Sequence, residues 1–511
     1  MKKILKYAFC LTIAATLTAT ATAQNYNEEN NLFYHAFRVP QSNDLNPAFF
    51  PASNTLYISL PGLTRLQFGA PLAIGDMLSI DTVNHITNID LNKISDAMSE
   101  NSQLNFGLNM NLIGGGLRIG NTFITASLGL KTKFDFTIPY STVDFLLHGN
   151  LDENGVAGRS AEILTGDLFN MHVYGEAGIG IGHRIPIINL TIGARAKIYY
   201  GLAHISFRPD IKLTTDQNID AINATINYQL GISSPIPINL GGNGLSDLID
   251  INALRNKGVM GALKYLVSPE VANMSVGFDL GAKYQIGPFA ISASVIDLTS
   301  GLHWHNNVYS IGPSGGAVDT SFAGFDVQQL LNNGSLQLDT LLDSYASLLG
   351  RLVPDSVLSK GGDYYYTIPT KINIGASVSL GTFVRAGILF HGQFDRGLLT
   401  NKNDYDLYTL NNYHIDFDKK KDKFRYNTTL SANVNLLNWL EVVAGSSIVY
   451  DGSKIDPLNP GVGFIITPLS AAQFYLMADY VSSIYLVEEK GLNIKFGFNL
   501  LIGHGGRRKM L

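Results

Sequence analysis

The chain has 511 residues and a formal net charge of −5, and charged residues make up 15% of it, well below the roughly 25% of soluble domains. That low charge comes with 51 Gly, 24 Tyr and 26 Phe, a balance that suits a membrane β-barrel wall and excludes overall attraction to nucleic acid. The single cysteine, Cys10, lies within the first 23 residues, so beyond them disulfides, thiolate metal sites and a cysteine nucleophile are excluded.

Residues 1–23 have the pattern of a secretory signal peptide. Lys2, Lys3 and Lys6 give a positive start, residues 8–17 an apolar core, and Ala21-Thr22-Ala23 a small-residue cleavage pattern before Gln24. Cys10 sits inside the apolar core rather than after a small-residue box, which disfavours a lipid anchor. Removal of the three lysines takes the formal charge to −8. Beyond this stretch no run could span a bilayer as a helix: the uncharged residues 459–478 are interrupted by Pro468 and carry many glycines and polar residues.

Residues 24–54 are polar, aromatic and without period, and contain Pro40-Gln41-Ser42 followed by Asn46-Pro47-Ala48. Together with the middle segment Ser294-Val295-Ile296-Asp297-Leu298, this layout resembles an uncharacterised Bacteroidota outer-membrane β-barrel family known as a domain of unknown function. It is also similar to the long-chain fatty-acid transporter class of barrels. The resemblance covers most of the chain through short motifs. It implies that the N-terminal segment enters the barrel as a plug, with Asn46, Pro47 and Ala48 as plug candidates, and that small hydrophobic or amphiphilic molecules pass through. The residues themselves leave open a periplasmic extension held by an Asn-Pro turn.

Residues 56–68 supply a first strand, made irregular by Pro61 and Gly62. Residues 103–136 then show the rule that the rest repeats: Leu104, Phe106, Leu108 and Met110 alternate with Asn105, Gly107 and Asn109. After Gly120-Asn121, Ile124, Ala126, Leu128 and Leu130 alternate with Thr125, Ser127, Gly129 and Lys131. Runs this long exceed the five or six residues of soluble strands and match the roughly nine to eleven of a tilted membrane strand. Five further alternating pairs follow, over residues 169–200, 274–295, 372–390, 430–450 and 462–480, and a last run over 492–502. One strand, six hairpins and one strand make an all-β fold, a transmembrane antiparallel β-barrel of about 14 strands over residues 55–503. A short basic periplasmic tail at 504–511 follows. The run INATINYQL, residues 222–230, alternates too and could add a hairpin.

With short turns on the periplasmic side, the long connections are extracellular. Outward Phe134, Phe136, Tyr200, Phe390, Tyr450 and Tyr480 predict an aromatic girdle far from the short turns. Phe123, Phe383 and Trp439, next to those turns, fall on the inward parity. Leucines at three- and four-residue spacings predict an amphipathic helix over 339–353, ended by Pro354, and a weaker one over 246–266. These helical extracellular loops read as a cap, a lid or a partner-binding surface.

The polar parity places Arg118, Lys131, Arg195, Lys197, Lys283, Lys371, Arg385 and Lys495 in the lumen against Glu176 and Asp279, a cationic lining that would attract anions. Asp44, Glu28 and Glu29 could neutralise it from the N-terminal segment. Within the hairpin of residues 169–200 the expected register sets Glu176 opposite Arg195 or Lys197. No catalytic motif is present: Gly178, Gly180 and Gly182 on alternate positions are small lumen residues, and no cofactor is implied. His303-Trp304-His305 lacks a third ligand in range and reads as a polar loop base rather than a metal site. The charged run 416–425 reads as a solvated loop.

The expected protein is not an enzyme but an outer-membrane channel or transporter for small hydrophobic or amphiphilic molecules. The alternative is a non-transporting barrel that carries or anchors secreted proteins at the cell surface. Expected partners are outer-membrane lipid and a small hydrophobic ligand, or secreted and cell-surface proteins, with no nucleic acid.

Overall fold

The computed structural model describes residues 31–50, 56–70, 101–141, 168–215, 222–236, 272–298, 301–313, 317–322, 356–360, 364–394, 424–450, 455–468, 471–479 and 491–503, with a few shorter stretches between them. The signal-like stretch, the basic tail, residues 339–353 and most of 246–266 lie outside the described residues, and with them the expected loop helices.

Period-two patterning folds as fourteen antiparallel strands. They are β1 (Leu56–Ser59 and Gly62–Gly69), β2 (Asn101–Ile119), β3 (Thr122–Pro139), β4 (Phe169–Ile185), β5 (Leu190–Thr215), β6 (Asn273–Ile286) and β7 (Phe289–Leu298), followed by β8 (Thr370–Leu380), β9 (Val384–Phe394), β10 (Phe424–Leu437), β11 (Leu440–Tyr450), β12 (Ile455–Ile466), β13 (Ala472–Asp479) and β14 (Gly491–Ile502). The sheet closes on β1, where Ile58 lies opposite Leu500 on one side and Gly115 on the other, and Leu66 opposite Ile494 and Leu108. Closure leaves no unpaired edge, which is the condition for crossing a bilayer with strands. β1 breaks at Leu60 and Pro61, where proline offers no N–H to the ladder.

Tight turns follow the chemistry of their residues. Gly120, Gly287 and Gly381 adopt φ of 60°, 55° and 65°, the left-handed region that glycine enters without a Cβ penalty. The β4–β5 turn is different: a 3-10 turn, Pro186–Ile188, ends at Asn189 with φ 52°.

The side chains are distributed inside out. Ile179 is 69% exposed and Leu430 59%, whereas Arg195, Lys197, Asp279 and Lys371 are buried. An apolar outer face around a polar interior defines a transmembrane barrel. On that outer face Phe134 contacts Phe169, and Phe390 stacks on Tyr426, away from the short turns. At the other rim Phe383 and Trp439 are exposed because they belong to the turns, where strand parity does not apply, while Phe123 does point inward and is buried against Phe50 and Tyr57.

The run at residues 222–230 forms a strand, Ile222–Ser233, but not a wall strand. It pairs with the outer half of β5, Ser233 opposite His204 and Ile222 opposite Thr215, and on its other side with Val308–Pro313 and Val318–Phe322. β5 has 26 residues, far more than a membrane crossing needs, so its outer half carries this sheet beyond the barrel.

The occupied lumen as candidate functional site

The apolar core of this protein lies in the lumen and is made largely by residues 31–49. These form two 3-10 turns, Asn31–His35 and Pro40–Asp44, with Leu32, Phe33, Tyr34, Val39, Leu45 and Phe49 buried against Val443, Ile465 and Met477 of the wall. Without strand or helix period, the segment has to find partners for its backbone on the wall. The His35 carbonyl accepts from Arg385 Nη1 (3.2 Å) and Asn433 Nδ2 (3.4 Å), and the Leu45 carbonyl from Ser294 Oγ (2.6 Å) and Asn373 Nδ2 (3.0 Å). The Arg38 carbonyl accepts from Gln473, and the Asn31 N–H donates to Asp479 (2.7 Å).

Inward glycines make the room. Pro47 lies on Gly193, Asn46 on Gly281 and Leu32 on Gly461, and a Cβ at Gly387 would sit 2.5 Å from the His35 ring. Asn46 folds over its own turn, its Oδ1 accepting from the Ala48 N–H at 2.9 Å, and its Nδ2 donates to the Ala293 carbonyl at 3.1 Å. The candidates Asn46, Pro47 and Ala48 therefore lie against β5, β6 and β7. His35 is held neutral, its imidazole pushed down to about 3, first by burial and then by the positive charges of Arg385 and Lys283. Burial raises the Tyr34 phenol, which shares a hydrogen bond with Ser292 at 3.0 Å.

All ten lumen candidates have inward contacts, and these fall into two sets. Lys131, Glu176, Arg195, Lys197, Asp279 and Lys371 form ion pairs across β3 to β8. Lys197 Nζ lies 2.9 Å from Asp279 and 2.6 Å from Asp297, Lys371 3.4 Å from Asp297, and Arg195 2.8 Å from Asp44 of the N-terminal segment. The other four, Arg118, Lys283, Arg385 and Lys495, face rings of that segment. Lys495 is 3.7 Å from the Phe33 centroid, Lys283 and Arg385 are 4.2 and 4.5 Å from that of Phe37, and Arg118 is 5.0 Å from that of Phe50. Glu28 and Glu29 lie outside the described residues.

The expected register of Glu176 is corrected. It lies opposite Tyr199, not Arg195 or Lys197, and its ion pair is with Lys131 of the neighbouring strand at 2.5 Å. The cause is the turn: the strands run on to Ile185 opposite Leu190, which centres the hairpin between Ile187 and Ile188, and that register holds without a break down to Glu176 opposite Tyr199. Sequence pattern also missed the centre of the ionic set. Asp297 has φ 58° and accepts from Lys197 and Tyr199, while its backbone N–H donates to Asp279 at 2.8 Å. The only signal for it was its place in the Ser294-Val295-Ile296-Asp297-Leu298 segment.

Above the ionic set, a two-stranded flap, Gly301–Trp304 paired with Tyr364–Thr367, fills the long-loop end of the lumen beside β4 and β5. Beneath it a cavity of about 20 Å³, large enough for a water, is lined by Lys131, Lys133, Lys371 and Tyr366. His303 and His305 are 5.0 Å apart, and His305 uses both ring nitrogens, on the His303 carbonyl and on Asn306. Among the described residues no group of three metal-ligating side chains occurs.

On the outside, the wall carries a recess of about 640 Å³ lined by Ile181, His183, Ile192, Ala194, Leu280, Ala282, Ala293, Val295, Ile372 and Ile374, with Gly193, Gly281 and Ser294 as its floor. Asn46 and Pro47 lie directly behind that floor.

Wall, occupied lumen and apolar belt together define a transmembrane β-barrel whose interior is filled by its own N-terminal segment. Within that class, the chain belongs to the family of unknown function DUF5723, whose model matches residues 47–479. No curated protein matches the sequence. Among solved structures, the toluene transporter TodX of P. putida is 9% identical, with 95% of this chain and 97% of that one covered and a TM-score of 0.43. The CymD monoaromatic hydrocarbon channel is 10% identical, covering 96% and 99%, with a TM-score of 0.40. A Pseudomonas aeruginosa FadL homologue is 7% identical, covering 96% and 98%, with a TM-score of 0.39.

Proposed function

We propose that the protein is an outer-membrane channel for small hydrophobic or amphiphilic molecules, with its short turns in the periplasm and residues 31–50 as its plug. The observation that carries this reading is the recess in the lipid-facing wall. Its volume of about 640 Å³ is that of a small-molecule site, and its side chains are almost all apolar. Asn46 and Pro47 lie directly behind the glycine floor, so displacing the N-terminal segment frees the inner side of this stretch of wall, and lumen and recess join when the pairing of β5, β6 and β7 over Gly193, Gly281 and Ser294 parts locally.

Ala282 and Ala293 face the recess and lie opposite each other, so phenylalanine at either position fills it from outside. The test is uptake of an apolar fluorescent probe by cells with an intact lipopolysaccharide leaflet. Expression of the protein should speed uptake, and Ala282→Phe should reverse that gain while folded barrel is still recovered. Equal uptake with and without the protein would sink the reading. A second reading, a barrel that carries or anchors secreted proteins, is favoured by the sheet built beyond the wall by the outer half of β5, Ile222–Ser233 and Val308–Pro313. It predicts no flux even when the N-terminal segment is displaced.

A further inference from the structure

The flap at the long-loop end is bound to the wall by an unusual contact. Leu302 pairs with Tyr366 and Trp304 with Tyr364, so these four side chains share one face, and that face meets His172 of β4 and His204 of β5. The rings form one stack. Tyr366 lies 3.8 Å from His172, His172 4.7 Å from His204, and His204 4.2 Å from Tyr364, with interplanar angles of 23°, 13° and 14°. Trp304 packs on the bare inner face of Gly201 and is fully buried.

The centre of the stack tolerates only one state of protonation. The two Nδ1 atoms are 3.2 Å apart, so one carries a hydrogen and the other accepts it. In an imidazolium both ring nitrogens are donors, and protonation of the accepting ring sets N–H against N–H. His172 Nε2 is buried with no partner, so a proton there also has nothing to bond. The charges that act on the pair are Lys133, 5.9 Å from the Tyr366 ring, and Arg208, 6.0 Å from that of Tyr364, and both are positive. Asp297, below the flap, is bonded to Lys197, Tyr199 and Lys371. Asn170 Nδ2 donates to the Tyr364 hydroxyl at 3.5 Å, and His204 hydrogen-bonds the backbone of Met171.

The connections of the flap suit motion. Its first strand lies between two non-glycine residues at positive φ, Asp297 at 58° and Asn307 at 50°, and its second runs through Ile368 and Pro369 straight into β8. The second strand therefore hangs from β8, while the first follows β7 and continues through His305 and Asn306, whose N–H groups bond Asn273, into Val308–Pro313.

We propose that this flap is a lid over the long-loop end of the lumen and that uptake of protons by His172 and His204 opens it. Closed, the stack excludes the second proton; open, both imidazoles meet solvent and titrate near the ordinary 6.5. The open fraction then rises as pH falls through that value, by up to about a hundredfold per unit if both rings protonate on opening. The lid is independent of what the barrel conducts.

Trp304 reports on it directly. The chain has two tryptophans, so Trp439→Phe leaves Trp304 as the only tryptophan in the full-length protein, excited selectively over tyrosine at the red edge of its absorption. Acrylamide quenching of Trp304, with the barrel in lipid vesicles, should be weak at pH 8 and strong at pH 5, with a midpoint near 6. His172→Gln combined with His204→Gln should remove that response. Tyr366→Ala, which weakens the stack without touching a titrating ring, should leave Trp304 accessible at both pH values and covers the case in which the double variant fails to fold. Trp304 equally protected at pH 8 and 5 in folded barrel, or an unchanged midpoint in the double variant, would overturn the proposal.

Discussion

Two pieces of the chain close on the lumen, one from each end, and they rest on different chemistry. At the short-turn end, residues 31–50 are held by side chains that donate to backbone carbonyls, by aromatic rings against cations and by notches at inward glycines, contacts spread from β1 to β14. At the long-loop end, the flap is held by Trp304 on Gly201, by hydrogen bonds from Ser275 and Asn170, and at its centre by a stack of four rings, two of which titrate. Many distributed contacts make a closure that no single charge change releases. A closure centred on two titrating rings is one that a proton can open.

The largest effects should come from filling the space that each closure needs. A side chain at Gly193 meets the main chain of Pro47 and Ala48, which no rotamer can relieve, whereas one at Gly201 meets only the Trp304 ring, 2.7 Å from its Cβ. Overpacking costs about 1–3 kcal/mol where neighbours can give and more where they cannot. Gly193→Leu should therefore displace the N-terminal segment, with Trp304 still protected. Gly201→Leu should expose Trp304 and leave the segment docked. Docking can be followed by maleimide labelling of Ser42→Cys, since Ser42 is buried and the chain has no cysteine after Cys10. If either variant moves both reporters, the closures are one cooperative unit.

Smaller effects grade the short-turn closure. Arg385→Met removes one of two donors to the His35 carbonyl and a cation over Phe37, and should weaken docking by about 1–3 kcal/mol, read as faster labelling at Ser42→Cys. His35 sets the pH dependence. Docked, it stays neutral down to about 3; released, it binds a proton near 6.5, so docking strength is full above that pH and falls below it. The loss is about 1.4 kcal/mol per pH unit, a tenfold rise in labelling. The groups facing His35 are Arg385, Lys283, Asn433 and the rings of Tyr34 and Phe37, none of them acidic. With His35→Gln the slope should vanish, while the Trp304 midpoint stays where it was.

How much of this was legible in the sequence follows from what constrains each part. The wall was, because lipid on one side and a polar lumen on the other impose period two on every strand, and a span of membrane length makes the runs long. Its details fail where another rule takes over. Pro186 and Asn189 recentre one turn and move Glu176 to Lys131, and the turn residues Phe383 and Trp439 escape strand parity. The lumen cations were legible as a set, their partners only in part. Asp44 for Arg195 is a charge match that can be guessed, but Phe33 under Lys495 or Phe37 between Lys283 and Arg385 depends on the path of a segment with no period. The flap was hidden for a similar reason. His303 and His305 carry the visible motif, whereas the side chain that docks is Trp304 between them, and its partners Gly201 and His204 are some 100 residues upstream on β5.

The smallest effect is expected at Lys283, and its sign is informative. Lys283 and Arg385 both lie over Phe37, 4.2 and 4.5 Å from its centroid, so the two charges are at most about 9 Å apart. At an effective dielectric constant near 20, that separation gives a repulsion of about 2 kcal/mol or more. The attraction of one cation to the ring supplies about 0.5–2 kcal/mol. Among the described residues no carboxylate forms an ion pair with Lys283, and the acid nearest Arg385, Glu441, is bonded to Arg38 at 3.3 Å and to Asn433 at 2.9 Å. Repulsion and attraction therefore nearly cancel, with repulsion slightly ahead. Lys283→Met should leave labelling at Ser42→Cys unchanged or slow it by up to about fivefold, equivalent to about 1 kcal/mol, whereas Arg385→Met speeds it. Faster labelling in Lys283→Met would mean that the cation on the ring, rather than the hydrogen bonds to the His35 and Leu45 carbonyls, is what holds the segment in the lumen.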